Sequence, residues 1–280
     1  MKEPLVALES AVITHGLPRP LNLQVAHECE TAVREAGARP ATIAVLDGRV
    51  RVGLEPAELE RLAADTTASK CAARDVGALV AAGRSGGTTV SGTLAIAAAA
   101  GIDVMSTGGI GGVHRGHDSD VSADLHQLAR SPVTVVTAGA KAILDLPRTV
   151  EYLDTLGVPV LGYRTVAFPG FYTAETGLSV SHRLDSVQDI ATAIRAFRSS
   201  GYRAAILVVQ PPPVGMTAAE LEKALQACLA RASEKGITGA AVTPFLLAAL
   251  AEATSGRTLE INRRLLVANA RLAAEIAVQI

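Results

Sequence analysis

The chain has 280 residues, 49% of them apolar, and a formal net charge of −1; that is enough for a substantial core and fits one large α/β unit, with no basic field to hold nucleic acid. Aromatic residues make up 3% and Trp is absent, which argues against base-stacking platforms. Cys29, Cys71 and Cys228 are too scattered for a disulfide framework or a zinc cluster, no signal-peptide pattern follows Met1, and no apolar run reaches the length of a membrane span, so the expected setting is the cytoplasm.

Leu5 to Leu8 reads as a short strand, and Pro20 to Ala36 as a helix with Asn22, Val25, Ala26, Cys29 and Val33 at helical spacing. Thr42 to Leu46 and Val50 to Val52 flank Asp47-Gly48, a hairpin signal that puts an antiparallel pair into the sheet. Pro56 to Ala64 is a short helix, and Thr88 to Ala99 passes from a glycine–threonine turn into a helix. Ile102 to Met105 and Val133 to Val136 are buried strands, each emptying into a glycine-rich loop. A helix at 149–156, a strand at Val158 to Tyr163, a helix at Ser186 to Ser199 and a strand at Ala204 to Val209 continue the alternation. Thr217 caps a helix to Glu234, with Glu220 completing a capping box, and Leu246 to Ala253 and Leu259 to Val278 finish as helices. Neither a repeat nor a linker interrupts this order. It predicts one domain over residues 1–280, a three-layer α/β/α unit with a mixed central sheet.

The chemistry concentrates at strand ends, where open α/β sheets bind ligands. Lys141, just past the 133–136 strand, is a candidate amine nucleophile; a solvent-facing lysine at a helix start fits the same position, although Ala140, Ala142, Ile143 and Leu144 around it favour partial burial. Glu9, at the exit of the first strand with His15 nearby, can have a raised pKa and act as a general acid, or be an ordinary surface carboxylate. Gly83 to Ser91 opens a helix whose free N–H groups suit an anion, though it lacks the Gly-Lys-Ser/Thr ending of a phosphate loop; a tight turn with a capping Thr is the plainer reading. Asp118, Asp120 and Asp124, with His114 and His117, offer hard ligands for Mg²⁺ or Mn²⁺, and equally fit a solvated acidic loop. Asn262 and Asn269 share one face of the last helix; two amides there can read an imide edge or serve the core.

Together these segments resemble the pseudouridine-5′-phosphate glycosidase family, also called the indigoidine synthase A-like family. The resemblance covers nearly the whole chain. It rests on Ala7-Leu8-Glu9-Ser10, Thr14-His15-Gly16, Pro40 to Ala44, Gly53-Leu54, Lys70 with Arg74-Asp75, Thr88-Thr89-Val90, Thr107 to Gly116, Ser122 to Leu125, Ala138 to Asp145, Val242 to Leu247 and Asn269 to Ala273. It implies reversible cleavage of the C–C glycosidic bond of pseudouridine 5′-phosphate to uracil and ribose 5-phosphate, with one divalent ion, typically Mn²⁺, in a homotrimer. By motif match Lys141 is the nucleophile that captures C1′ of an opened ribose as an imine, and Glu9 the proton donor to uracil C5. Asp120 matches the metal-binding acid. Lys70, Val90 and Ser122, Ala123 and Asp124 match substrate-binding positions, with Thr89 and His114 as helpers and Asn269, beside Asn262, for the uracil edge. Phosphate is matched by Lys70 and the N–H groups that open the 88–99 helix. The 114–120 loop is shorter than the family's, which leaves Asp118 beside Asp120 as the metal-binding acid. Val209-Gln210-Pro211 replaces a usual Asn-Pro, and residues Phe168-Pro169 and Phe171-Tyr172 follow a lid pattern. Alternatives are a sugar-phosphate aldolase or isomerase with the same lysine imine, a pigment-pathway enzyme acting on a phosphorylated intermediate, and a non-catalytic binder of phosphorylated metabolites.

Overall fold

A computed structural model describes residues 3–115, 120–237 and 242–280. The strands, in chain order, are β1 (Leu5–Leu8), β2 (Arg39–Leu46), β3 (Arg49–Val52), β4 (Ser69–Cys71), β5 (Gly86–Thr88), β6 (Val104–Ser106), β7 (Val113–His114), β8 (Thr134–Thr137), β9 (Leu144–Asp145), β10 (Val160–Tyr163), β11 (His182–Leu184) and β12 (Ile206–Val209). Between and after them run α1 (Leu21–Glu35), α2 (Pro56–Ala64), α3 (Val76–Ala81), α4 (Val90–Ala99), α5 (Ala123–Leu128), α6 (Leu146–Thr155), α7 (Val187–Ser199), α8 (Ala218–Glu234), α9 (Val242–Ala253) and α10 (Arg257–Gln279).

Ten strands form one mixed sheet in the order β11-β10-β12-β8-β6-β1-β2-β5-β4, with β3 paired to β2. Its centre is parallel: β1 lies between β2 and β6, and β8 between β6 and β12. Those strands read Leu-Val-Ala-Leu, Thr-Val-Val-Thr and Ile-Leu-Val-Val because parallel strands are covered on both faces and have no solvent side. Helices supply the cover. α10 packs on β1, β6 and β8 with α1 and α7 beside it, and α4 packs on β1 and β2 against α5.

The hairpin turns at Asp47 and Gly48, both with positive φ (49° and 72°), which matches the right-handed strand twist and brings β3 antiparallel onto β2. α8 starts at its capping box: Glu220 N–H donates to the Thr217 hydroxyl and Thr217 N–H to the Glu220 carboxylate. α6 begins earlier than its periodicity indicates. Asp145 accepts from the Arg148 N–H and Pro occupies its first turn, so the helix opens at Leu146 instead of 149. The largest difference lies at β4 and β5, Ser-Lys-Cys and Gly-Gly-Thr. Neither has apolar alternation. They are strands because β4 pairs parallel to β5, β5 antiparallel to β2, and Ser10 N–H donates to the Thr88 carbonyl. Glycine serves here because Ser10 and the Leu79 side chain lie against β5 where a β-carbon would be. The expected glycine turn at 83–88 is therefore partly sheet.

Candidate active site

The parallel strands deliver their C-terminal ends to one cavity of about 360 Å³. Glu9 follows β1, Lys70 sits in β4, Thr89 and Ser91 open α4, Ser122 to Asp124 open α5, and Lys141 lies four residues past β8; all line this cavity, with His114 and Asp120 at its rim. Glu9, Lys70 and Lys141 also border an apolar annex walled by Val12, Phe171, Pro244, Leu247 and Leu266 with Asn262. The expected pair, Glu9 and Lys141, thus shares a wall.

Each of the two is stitched in place. Ser10, next to Glu9, donates its hydroxyl to the Ile43 carbonyl (2.5 Å) and accepts from the Thr88 N–H (2.9 Å), tying the end of β1 to β2 and β5. Lys141 N–H donates to the Ile110 carbonyl (3.1 Å) and Ile110 N–H to the Gly139 carbonyl (3.0 Å), tying the loop after β8 to the glycine cluster after β6. Gly139 has φ +83°, and a β-carbon there would run into the Pro169 carbonyl oxygen, so this is a position only glycine fills.

Burial pushes the Glu9 carboxyl above the usual carboxylate value of 4.5; Lys141 and a hydrogen bond from the Thr107 hydroxyl oppose that rise, Asp124 adds to it, and Lys70 opposes it. Burial lowers the Lys70 ammonium, and repulsion from Lys141 lowers it further. The Lys70 side chain is open to solvent from the cavity, so water screens part of that effect. His15 is lowered by burial and then by Lys70 and Arg19. A carboxyl whose proton affinity is raised by burial, set beside a lysine, suits proton transfer to a carbon next to an imine.

Asp124 takes a structural place. Buried, its carboxylate accepts from the Ser91 N–H and the Gly111 N–H (2.9 Å each), joining the start of α4 to the glycine cluster. A β-carbon on Gly111 would overlap the Ser122 hydroxyl, so the close approach of this loop also needs glycine. The anion at the N-terminus of α4 is thus the protein's own carboxylate. The Gly92 N–H goes to the Thr89 hydroxyl (3.4 Å). The expectation that the opening amides of this helix hold phosphate is corrected to one group: among the described residues only the first-turn N–H of Val90 has no protein partner. The Val90 side chain is buried, so any part it plays is through that amide. Arg74, exposed over the cavity, is a second cation that motif reading passed over as a site residue.

Asn269 is also corrected. It is fully buried and does not line the cavity or the annex; its amide donates to the Thr107 carbonyl (2.8 Å) and accepts from Gln210 (2.8 Å). Asn262, one helical repeat away, is the amide that faces the annex. Thr107, the partner of Glu9, escaped the sequence reading because 98 residues separate the two and nothing in a glycine-rich motif marks one hydroxyl.

At the rim, His114 Nδ1 lies 3.2 Å from the Asp120 Oδ1, and the two backbones pair through His114 N–H and the Asp120 carbonyl (2.9 Å). Asp118 and His117, the alternative ligands, lie outside the described residues. Among the described residues no cluster of three or more His, Cys, Asp and Glu side chains could hold a metal. One exposed carboxylate at the rim of an open cavity fits a hard divalent ion whose other ligands are mostly water or substrate oxygens. A larger cavity of about 450 Å³ lies across the β7–β9 ribbon, lined by Arg115 and Asp145 where the first is lined by His114 and Leu144. Its Arg115 is engaged by Glu222 and the Leu144 carbonyl, and the acid–amine pair is not part of it.

Fold and site define an α/β protein with a buried carboxyl, its proton affinity raised by burial, and a lysine amine converging at the carboxyl ends of parallel strands. The chain belongs to the indigoidine synthase A like family, whose sequence profile matches residues 1–279. It is similar to a pseudouridine-5′-phosphate glycosidase of Paracoccus denitrificans, 51% identical over 282 residues covering 99% of this chain and 93% of that one. A protein of the same name from Chloroflexus aurantiacus is 52% identical over 284 residues, covering 99% and 93%. Among solved structures, an indigoidine synthase A-like protein of Thermotoga maritima superposes with a TM-score of 0.93 at 36% identity, covering 99% of this chain and 93% of that one. The prealnumycin C-glycosynthase AlnA, in complex with ribulose 5-phosphate, superposes at 0.90 with 42% identity, covering 99% and 91%.

Proposed function

We propose that this chain cleaves, and in reverse forms, the C–C glycosidic bond of pseudouridine 5′-phosphate, yielding uracil and ribose 5-phosphate. The observation that carries the reading is the convergence of Glu9 and Lys141 on one cavity, with burial holding the Glu9 carboxyl toward its protonated form. The names of relatives at about half identity over the whole chain agree with it.

The reaction has a poor leaving group, a ring carbon, so two carboxylates alone do not suffice. The Lys141 amine forms a bond to C1′ as the C1′–O4′ ring bond breaks, and the ring oxygen leaves with that electron pair and takes the proton the amine gives up, which opens the sugar. Glu9 delivers a proton to uracil C5. As the C1′–C5 bond breaks, its electron pair returns to the uracil ring as the C5–C6 double bond, and the nitrogen lone pair fills C1′ to leave a protonated imine on Lys141. Water hydrolyses the imine, which frees Lys141 and ribose 5-phosphate and returns Glu9 to its acid form by way of the proton released. Lys70, Arg74 and the Val90 amide hold the phosphate, with Thr89, His114 and the Ser122 to Asp124 turn around the sugar. The annex takes the nucleobase, with Asn262 at its edge. Asp120 would provide one oxygen ligand to a Mn²⁺ ion, whose positive charge would offset that of the phosphate. The family pattern further suggests a homotrimer acting in the cytoplasm; light scattering of the purified protein tests the assembly. Among the described residues no helix is long and apolar enough to cross a membrane.

The test is to incubate protein, Mn²⁺, uracil and ribose 5-phosphate and to look by mass for a C-glycoside. Its formation supports the reading. An imine trapped on Lys141 without any uracil incorporated would instead favour a sugar-phosphate lyase or a different ring as partner.

A further inference from the structure

Asn269 is an anomaly of α10. Its neighbours on the buried face are Leu265, Leu266, Ala270, Leu272 and Ala273, and an aliphatic residue in its place would pack without needing partners. A primary amide buried completely costs free energy unless both of its ends are bonded. Both are: the amide nitrogen donates to the Thr107 carbonyl at 2.8 Å and the Gly108 carbonyl at 3.4 Å, and the oxygen accepts from Gln210 at 2.8 Å. Gln210 is itself anchored by its N–H to the Thr137 carbonyl at the end of β8 (3.1 Å). From the other side, the Thr107 N–H reaches the Val136 carbonyl (3.0 Å) and the Ala138 N–H the Gly108 carbonyl (2.9 Å). The 107–108 peptide is thereby clamped between the last helix and the exit of β8. Its one outward polar product is the buried Thr107 hydroxyl, which donates to Oε1 of Glu9.

We infer that Gln210, Asn269 and Thr107 form a positioning chain that sets the orientation of the Glu9 carboxyl and decides which of its oxygens carries the transferable proton. Oε1 accepts from Thr107, which leaves Oε2 as the oxygen that carries a proton when Glu9 binds one. The inference rests on Glu9 being the proton donor of the proposed reaction, and it assigns a positioning role to Thr107, which bonds the Glu9 carboxyl, and to Gln210 and Asn269, which act through it. The donated bond also favours the ionised carboxylate, so the chain restrains the rise that burial imposes on Glu9. The charged and titratable groups facing Glu9 are Lys141 from the loop after β8, Lys70 from β4, Asp124 from α5, and His15 across the annex from the Val12–Gly16 turn; none of them is altered by the variants below.

The decisive measurement needs no substrate. Protein labelled with ¹³C at glutamate carboxyl carbons is titrated by NMR, with the Glu9 signal assigned by its loss in Glu9→Gln. Thr107→Val should move the Glu9 midpoint upward by roughly one unit, the size expected when a bond to a charged group is removed. Thr107→Ser should titrate like the parent, and Asn269→Leu should give part of the Thr107→Val shift. The double variant Thr107→Val with Asn269→Leu should shift no further than Thr107→Val, because residues acting in series are not additive. A Thr107→Val midpoint equal to the parent's, or single shifts that add in full, overturns the proposal; Gln210→Ala and Thr107→Ser keep the question answerable if the valine variant does not fold. The second arm is turnover. Thr107→Val should lower kcat about tenfold with KM unchanged, move the alkaline limb of its pH profile upward, and leave borohydride trapping of ribose 5-phosphate on Lys141 as in the parent. A parent protein that traps no ribose 5-phosphate and makes no C-glycoside refutes the proposed reaction, and the NMR titration then still decides the positioning chain on its own.

Discussion

The floor and the rim of the cavity are built on different terms. At the floor, Glu9 and Lys141 stand on buried parallel strands whose exits are cross-bonded to β2, β5 and the glycine cluster, and each backbone has partners on more than one element. At the rim, Asp120 is exposed and pairs with His114, six residues away in the sequence. Groups that must meet a reacting carbon within a few tenths of an ångström are held by the sheet; a group that would hold a hydrated ion needs only reach and charge. The contrast separates two kinds of sensitivity to mutation.

The floor should break hardest. Lys141→Ala should abolish the borohydride adduct with ribose 5-phosphate and lower turnover by roughly five or more orders of magnitude, as loss of a nucleophile does. Peptide mapping checks the site, and an adduct found on Lys70 would reverse the roles of the two lysines. Glu9→Gln keeps the shape and removes the proton. It should bind pseudouridine 5′-phosphate within a few fold of the parent and lose about two to four orders of magnitude in kcat; near-normal turnover would hand the proton to His15 or to water.

The rim should yield by degrees. EDTA should lower activity roughly ten- to a hundredfold, and Mn²⁺ should restore it. Asp120→Ala should raise the Mn²⁺ concentration needed for half-maximal rate by a similar factor while leaving borohydride trapping on Lys141 intact. Activity indifferent to both treatments would remove the ion from the site.

The smallest effect sharpens the comparison from the side of stability. The folded pKa of Glu9 lies above its unfolded value, so the folded state binds the proton more tightly, and stability falls as pH rises from about 4.5 through the folded value. Glu9→Gln removes that loss. It should stabilise the protein above the folded pKa and leave its stability unchanged below about pH 4.5. Thermal melts at pH 4 and pH 8 check this, and a gain of equal size at both would point to packing instead of charge.

What could be read without coordinates follows the same division. The buried strands Leu5–Leu8, Thr134–Thr137 and Ile206–Val209 announce themselves by composition, and the residues at their exits by residue type, so Glu9 and Lys141 were legible. β4 and β5 were not, because Gly-Gly-Thr is a strand only through its neighbours on both sides. Asp124 was placed in the site but given a ligand's task, since a motif cannot tell a carboxylate that meets substrate from one that meets the amides of Ser91 and Gly111. Asn262 and Asn269 share a helix face, yet seven residues along a helix that crosses the middle of the sheet carry one to the annex and the other to the buried end of β6; only packing separates them.

The contact between Gly139 and the Pro169 carbonyl bears on redesign. Phe171, two residues beyond, donates its N–H to the Ala138 carbonyl and walls the annex, so the aromatic wall and the lysine two positions past Gly139 are parts of one bonded unit. Widening the annex at Phe171 to admit a bulkier aglycone would disturb the register of Lys141 along with the space. Among the described residues, Pro244 and Leu247 of α9, which also line the annex, have no such tie to the lysine. If the annex takes the nucleobase as proposed, aglycone scope should be engineered from α9, by trimming Leu247 first, with the 168–172 segment left untouched.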